Sequence, residues 1–187
     1  MTRTSKDRSY DLRRCRTQTT ALSWKRSEFS GNVMFHPSGV LWQCQRCAMC
    51  CADTPDHTRS IRLLQTESEM ISRRTGMDVN EFSRATTGSL EYDREILKKN
   101  GKCLFLTDKS CAIYHDRPLT CIFYPLFFYQ VNPGRFEFRI TPESCPGLGV
   151  GRKLNGSCYK ELLSLAIETF RRNRSRQIMP LSFLDPV

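Results

Sequence analysis

Four cysteines fall within eight residues, and their spacing is the feature of this sequence that points most directly to chemistry. The run reads Cys-x2-Cys-x2-Cys-Cys and consists of Cys44, Cys47, Cys50 and Cys51. A hydrophobic core does not need so many sulfurs side by side. Thiolates held close together suit a soft metal, either zinc or iron in an iron–sulfur cluster. The run therefore predicts a metal-binding protein.

Four further cysteines lie in Gly- and Pro-punctuated segments, where the chain can fold back towards the run. They are Cys103, Cys111, Cys121 and Cys145. Together with the run they make eight thiols, which is enough for two four-thiolate sites or for one larger cluster. We predict all eight as metal ligands, and the sequence leaves open which of them share a site.

The two adjacent cysteines of the run, Cys50 and Cys51, affect how the eight thiols can be divided between metal sites. Neighbouring side chains point to different faces in a strand or a helix. We therefore expect that Cys50 and Cys51 do not bind one mononuclear metal together. One of the two should reach a second ion or join a polynuclear cluster.

The remaining histidines and cysteines are weaker ligand candidates. His36, His57 and His115 each stand alone, and a lone His is more often a surface residue or a satisfied core group. Cys15 lies far from the run in sequence. Cys158 opens a predicted helix, where a buried free thiol is the favoured explanation.

Composition predicts a cytoplasmic protein with reduced thiols. The N-terminus is basic and polar and lacks the apolar segment of a secretory signal. Without export, the 10 cysteines of the 187-residue chain stay free to bind metal. The longest apolar run, from Leu119 to Val131, is too short to span a bilayer and contains Pro125. We therefore expect no membrane partner.

The charge of the chain bears on its partners. The formal net charge of +10 favours acidic partners, including nucleic acid. Many basic residues fall near the two ends of the chain, and a surplus in solvated tails explains the charge better than a binding surface does. Nucleic acid is thus the less favoured partner, and a protein partner is left unidentified.

Hydrophobic patterning predicts a small, irregular α+β domain that is stabilised by metal. Residues 1–30 are expected to be a basic, disordered tail, residues 31–175 the cysteine-cluster domain and residues 176–187 a C-terminal tail. The domain should contain a short hairpin, a few helices and a C-terminal amphipathic helix over Ser157 to Arg172.

Local signals place the other elements. Residues 61–63 and 101–106 suggest strands, and Asn132-Pro133-Gly134 suggests the turn of a hairpin between residues 127–131 and 135–140. Two capping boxes, Thr66 with Glu69 and Asp78 with Glu81, predict two helices, the first ending near Gly76.

Taken in order, the cysteines and their neighbours resemble the YkgJ-type cysteine-cluster family, whose domain is described as zinc- or iron-chelating. The resemblance rests on these segments: Cys44-x2-Cys47-x2-Cys50-Cys51, Cys103-x-Phe105-Leu106, Cys111-x-Ile113-Tyr114-x2-Arg117-Pro118-x2-Cys121-x2-Tyr124-Pro125 and Cys145-Pro146-Gly147. It covers roughly Phe35 to Phe170 and implies that the same eight thiols are metal ligands. Ala48 stands where the family usually has Gly, and Ile122 stands where Arg is common.

Three functions are compatible with these features. The first is a metal-binding protein that holds an iron–sulfur cluster or zinc and has a redox, sensing or structural role. The second is a protein lysine N-methyltransferase, because the FliB-type flagellin lysine N-methylases share the cysteine pattern. The third is a zinc-dependent nucleic-acid-binding module. Clustered thiols favour the first, and whether the protein is an enzyme stays open because no S-adenosylmethionine motif is recognisable; Thr54 stands where the third cysteine of the radical signature would be.

Overall fold

The structure is a computed structural model that describes residues 23–55, 57–87, 91–141 and 145–175. It is an α+β fold, as the sequence predicts. The strands are β1 (Trp24–Phe29), β2 (Asn32–Pro37), β3 (Leu41–Trp42), β4 (Arg62–Leu63), β5 (Ser83–Ala85), β6 (Arg94–Ile96), β7 (Lys98–Lys99), β8 (Lys102–Cys103), β9 (Leu106–Thr107), β10 (Ser110–Cys111), β11 (Leu126–Asn132), β12 (Arg135–Ile140) and β13 (Arg152–Lys153). The helices are α1 (Gln65–Thr75), α2 (Val79–Phe82), α3 (Leu119–Phe123) and α4 (Gly156–Arg174), with short 3₁₀ turns at Met49–Cys51 and Tyr114–Asp116.

The largest sheet has four strands in the order β1-β2-β12-β11. The predicted hairpin forms its β11-β12 half, and β2 joins β12 in parallel. Alternation along β12 buries Phe136 and Phe138 and exposes Arg135 and Arg139, because successive strand residues point to opposite faces. The inner face packs against α4 and forms the sheet core, a cluster of buried residues that includes Met34, Phe136, Phe138, Tyr159, Leu162 and Leu163.

The remaining strands form small sheets. The three-stranded sheet β4-β6-β5 and the pairs β7-β8 and β9-β10 lie beside a second hydrophobic cluster, whereas the pair β3-β13 lies beside the sheet core. The second cluster is the thiol core, which consists of Ile61, Leu63, Ile71, Phe82, Ile96, Cys103, Phe105 and Ile113, with Cys51, Cys111 and Cys121 packed against it. The described residues therefore form two cores, and the second one contains or contacts four of the eight predicted ligand cysteines.

The helices begin and end largely where local signals predict. Asp78 caps α2, and Glu81 returns to the Asp78 amide at 2.6 Å, so this capping box is confirmed. Gly76 ends α1 with a φ of 75°. The capping box of α1 was placed wrongly, however. Leu64 is the N-cap of α1, and Glu67 accepts a hydrogen bond from the Leu64 amide. Glu67 takes this position because the Leu119 amide donates a second hydrogen bond to its carboxylate and holds the side chain inside the protein.

The boundaries of the predicted domain need one correction. Residues 24–29 form β1, which pairs with β2 along its whole length, so they are part of the fold and not of the tail. The predicted tails up to residue 22 and from residue 176 lie outside the described residues. The strand predicted over 101–106 is instead two short strands, β8 and β9, separated by a turn.

Two further findings concern the chain as a whole. Cys158 takes part in a disulfide and is not the free thiol that the sequence favoured. Among the described residues, the helices are all too short or too polar to cross a membrane.

Candidate metal centre

The N-terminal half of the cysteine run is an open coil with two left-handed residues. Arg46 has a φ of 51° and Ala48 a φ of 62°. These bends lead into the 3₁₀ turn at Met49–Cys51, which is closed by the Cys51 amide donating to the Ala48 carbonyl at 2.9 Å. Cys44 and Cys47 are exposed, whereas Cys50 and Cys51 are half-buried. The run thus enters the fold from the solvent and ends against the thiol core.

The adjacent sulfurs of the run do not diverge. The Sγ atoms of Cys50 and Cys51 lie 3.8 Å apart, so the expectation that the two point to different faces is wrong. A 3₁₀ turn winds more tightly than a strand or an α-helix, and this pair lies at its end, beside the extended Ala52. A tetrahedral site with zinc–sulfur bonds of about 2.3 Å places its sulfurs about 3.8 Å apart. The pair therefore has the spacing of two ligands on one ion.

Two tight hairpins bring the next two cysteines to the thiol core. Asn100 and Gly101, both with positive φ, turn β7 into β8 and place Cys103 opposite Lys98. Asp108 and Lys109, also with positive φ, turn β9 into β10 and place Cys111 opposite Leu106. Asn-Gly is the strongest short hairpin signal, and it would have identified the turn between β7 and β8, which the sequence analysis did not predict.

Helix α3 supplies the third distal thiol. Pro118 is its N-cap, and its carbonyl accepts from the Cys121 amide at 2.9 Å. The buried carboxylate of Glu67 accepts from the Leu119 amide at 2.6 Å, so α1 fixes the start of α3. Cys121 packs against the thiol core with Cys111 and Cys51.

A brace of charged groups joins the end of the run to the β7-β8 hairpin. Asp53 accepts from Lys98 Nζ at 2.8 and 2.9 Å and from the Arg59 amide at 2.7 Å. The Lys98 ammonium holds the pKa of Asp53 below its usual range. The backbone follows the same connection, since the Asp53 amide donates to the Gly101 carbonyl and Ala52 bridges Lys102. This brace sets the end of the run beside Cys103.

Sequence reasoning missed that brace. Asp53 and Lys98 are 45 residues apart, and neither lies in a pattern that marks a contact. Sequence reasoning also missed the contact between Tyr124 and Arg59 of the brace, although Tyr124 stands out in the sequence as part of the Tyr124-Pro125 motif. The Arg59 guanidinium lies 4.5 Å from the Tyr124 ring centre and donates to its hydroxyl at 2.7 Å.

The last cysteine sits on a loop that is pressed against the strand preceding the run. The Gln43 amide donates to the Gly147 carbonyl at 3.1 Å, and the Gly149 amide donates to the Leu41 carbonyl at 2.9 Å. A Cβ on Gly147 would lie 2.3 Å from the Gln43 carbonyl oxygen, so only glycine fits there. The loop that follows Cys145 is thereby held against the segment that leads into Cys44.

The buried thiols resist ionisation while no cation faces them. Burial, with a smaller effect from the charges of Cys111 and Cys50, raises the pKa of Cys103 to about 11. Burial also raises the pKa of Cys111 and, together with the charges of Cys50, Cys103 and Cys111, raises the pKa of Cys121. The Cys51 thiol and burial raise the pKa of Cys50. Four thiols that disfavour one another's charge are stabilised as thiolates by a shared cation.

Two guanidinium groups partly offset that charge. Arg59 lowers the pKa of Cys50, although the neighbouring thiol and burial outweigh it. Arg117 opposes the rise in the pKa of Cys111, although burial outweighs it, and its guanidinium lies 4.2 Å from the ring centre of Tyr114. The Arg46 guanidinium, in the middle of the run, lies 5.6 Å from the centre of the same ring.

The histidines stay weak candidates. His36 lies in the sheet core, where it stacks on Tyr159 and contacts Ser27 Oγ at 3.1 Å. His115 meets Tyr114 edge-on, and His57 pairs with Thr54 through the backbone. These positions favour a thiol-only donor set.

The donor chemistry fits zinc and iron, although the coordination sphere is not closed. Among the residues that the structure describes, no three Cys, His, Asp or Glu side chains are arranged so that they could hold a metal ion as they stand. The structure nevertheless gathers Cys51, Cys103, Cys111 and Cys121 around one core, with Cys50 in contact with Cys51, and soft thiolates are the ligands that zinc and iron–sulfur clusters prefer.

Comparison with known proteins identifies the class. A family model described as "CxxCxxCC: Putative zinc- or iron-chelating domain" matches residues 43–146, which is more than half of the chain. The chain belongs to this family of zinc- or iron-chelating domains, which confirms the resemblance to the cysteine-cluster family. The matched segment contains all eight thiols predicted as ligands. No solved structure matches the chain.

Proposed function

We propose that this protein holds zinc in tetrahedral thiolate coordination and that the metal has a structural role. The observation that carries the proposal is the 3.8 Å contact between Cys50 Sγ and Cys51 Sγ, which has the length of one edge of a zinc tetrathiolate. Each cysteine of a four-iron cluster binds a different iron, so adjacent thiols in contact suit a single ion better.

The packing of the thiol core supports a structural role. Cys103 is only 6% exposed, and its strand β8 has just two residues. Two-residue strands bury little apolar surface and are marginal alone. Structural zinc contributes about 10–16 kcal/mol in small domains, which is as large as a typical net folding stability. Metal binding can therefore supply what the short pairs around the thiols lack.

The test is anaerobic purification followed by metal and acid-labile sulfide analysis. A colourless protein with zinc and without sulfide is the expected result. A brown protein with iron and sulfide would replace zinc by an iron–sulfur cluster and favour a redox or sensing role. A preparation without any transition metal would refute metal binding altogether.

The other two functions remain predictions. Methyl transfer to a lysine-rich protein would favour the lysine N-methyltransferase. The outer face of the large sheet does carry arginine and aromatic side chains, such as Arg135 at 4.6 Å from the Phe35 ring centre. Two other arginines of that face are neutralised, however, because Arg26 pairs with Glu28 and Arg139 with Glu137. This pairing favours a solvated surface over a nucleic-acid interface.

A further inference from the structure

Strand β1 forms one edge of the largest sheet. It pairs with β2 along one side, and none of the described strands pairs with its other side. The strand is six residues long, contains no proline and keeps its register with β2 without a bulge. An edge of this kind presents a row of backbone N–H and C=O groups to which another strand can add.

The alternation of hydrogen bonds shows which residues of β1 face the open edge. Just before the strand, the Ser38 amide donates to the Ser23 carbonyl at 2.6 Å. Bonded and non-bonded pairs alternate along an antiparallel ladder, so the odd-numbered residues of β1 bond to β2. The backbone groups of the even-numbered residues therefore point to the open edge, and these residues are Trp24, Arg26 and Glu28.

The side chains of the same three residues lie on the outer face of the sheet. Ser27 is paired with the buried Met34, so its neighbours in β1 point to the other face. The Arg26 guanidinium and the Glu28 carboxylate lie 2.7 Å apart, and the two side chains are 57% and 66% exposed. Trp24 is 55% exposed. The open edge thus carries a cation, an anion and an exposed aromatic ring.

We propose that two copies of this chain pair antiparallel through β1, about a two-fold axis at Ser27, and join their sheets into one sheet of eight strands. In this register Arg26 of each copy lies opposite Glu28 of the other, and Lys25 lies opposite Phe29. Arg26 and Glu28 are residues whose backbone groups face the open edge, so the two copies exchange four backbone hydrogen bonds between them. This interface is independent of the metal.

Charge selects this register among those that the symmetry allows. A two-fold axis through an antiparallel pair must pass through a residue position, because directly opposed residues share a face. An axis at Lys25, Arg26 or Glu28 would place two like charges directly opposite each other, which is destabilising. An axis at Ser27 opposes only unlike charges, twice. The sequence of β1 is therefore complementary to itself in this one register.

The same register gives the exposed Trp24 a place on the second copy. Continued past the Arg26–Glu28 pair, it brings Trp24 opposite Ser30, at the turn of the β1-β2 hairpin. An open depression lies at this turn and is lined by Glu28, Phe29, Ser30, Gly31, Asn32 and Val33. The indole ring of each copy therefore loses exposure to solvent when the dimer forms.

Sedimentation velocity of the full chain, as purified, tests the proposal over about 1 to 100 µM. A monomer–dimer equilibrium is expected, because an interface of one strand pair is at the small end of specific interfaces. Tryptophan fluorescence should shift to shorter wavelength as the dimer fills. A monomer at every concentration would overturn the proposal. So would a dimer that survives non-reducing denaturing electrophoresis, because exposed cysteines would then account for it.

Charge reversal tests the register. R26E and E28R each place like charges opposite each other twice, and each should weaken dimerisation by roughly tenfold or more. An equimolar mixture of the two variants should dimerise about as well as the wild type, because acidic positions 26 and 28 of one variant then face basic positions 28 and 26 of the other. This recovery also excludes misfolding of either variant. Single variants that associate like the wild type, or a mixture that does not recover, would overturn the register.

R139E is the matched control. Arg139 pairs with Glu137 at 2.9 Å, which is the same spacing along a strand and the same face of the same sheet. This pair lies on β12, however, which is an interior strand. R139E should therefore associate like the wild type. A loss as large as that of R26E would show that the outer face of the sheet mediates association, and would overturn pairing through the β1 edge.

Discussion

Ala48 occupies a backbone position that costs an L-residue free energy. Its φ of 62° is left-handed, and it immediately precedes the 3₁₀ turn that carries Cys50 and Cys51. Glycine adopts this conformation without a Cβ penalty. The bend at Ala48 turns the run from the solvent into the thiol core.

Replacement of Ala48 by Gly should therefore stabilise the protein. Relief of the left-handed strain outweighs the extra entropy of the unfolded chain, and the expected gain in the free energy of unfolding is about 1 kcal/mol. The measurement is thermal or urea unfolding of the zinc-loaded protein. Ala52, with a φ of −136°, is the matched control, and Ala52→Gly should lower stability instead. Equal effects of both substitutions would contradict the assignment of strain to position 48.

At the scale of elements, Glu67 joins α1 to α3. One carboxylate oxygen accepts from the Leu64 amide and the other from the Leu119 amide, and the side chain is buried. Burial raises the pKa of Glu67 to about 7, from an ordinary value of 4.5. Between pH 4.5 and about 7, Glu67 is therefore largely protonated in the folded protein and largely ionised in the unfolded chain.

The pH dependence of stability follows from this shift. The contribution of the protonated carboxyl is fully present below pH 4.5 and is lost as pH rises through 7, by roughly 3 kcal/mol. The glutamine side chain of Glu67→Gln cannot ionise. The free energy of unfolding of the wild type should therefore fall relative to that of the variant as pH rises from 4.5 to 7. Denaturant unfolding at a series of pH values measures this. Glu28→Gln, at an exposed position, is the control. If the free energies of unfolding of the wild type and E67Q changed with pH in the same way, the raised pKa of Glu67 would be refuted.

The position of the 145–149 loop depends on the close approach of Gly147 to the Gln43 backbone. The position of Gly147 leaves no space for a methyl group beside the Gln43 carbonyl. Gly147→Ala should therefore push the loop away, displace Cys145 and speed up release of bound zinc by roughly tenfold or more. Gly156→Ala is the matched control, because a Cβ there would meet its nearest atom at 3.6 Å. Release from G147A at the wild-type rate would show that the loop does not position a ligand.

At the scale of the whole molecule, sequence patterns identified the sheet core better than the thiol core. Alternation along β12 and helical periodicity along α4 are repeated signals, and both elements lie where they were predicted. The thiol core is built from two- and three-residue strands, which are too short to show any period. Its decisive contacts, Asp53 with Lys98 and Glu67 with Leu119, join residues 45 and 52 positions apart. The ligand types were therefore predictable, whereas the contact between Cys50 and Cys51 required the backbone geometry of a 3₁₀ turn.

The two cores should respond differently to removal of the metal. The sheet core is packed from long strands and from α4, and its one cysteine, Cys158, is in a disulfide. The thiol core contains Cys103, with Cys51, Cys111 and Cys121 packed against it, and by the proposed function a bound zinc ion cross-links the short elements that carry these thiols. Chelation should therefore open the segments that carry Cys103, Cys111 and Cys121 and leave the large sheet folded.

Hydrogen exchange read by mass spectrometry measures this directly. After exhaustive chelation, peptides that cover β7 to β10 and α3 should lose protection, whereas peptides from β12 and α4 should exchange nearly as slowly as in the zinc-loaded protein. Return of Zn(II) should restore protection, which excludes irreversible damage. Loss of protection throughout both cores would show that the molecule unfolds as one unit. Protection that is unchanged everywhere would show that the metal does not hold the thiol core together, because burial of uncharged thiols would then suffice.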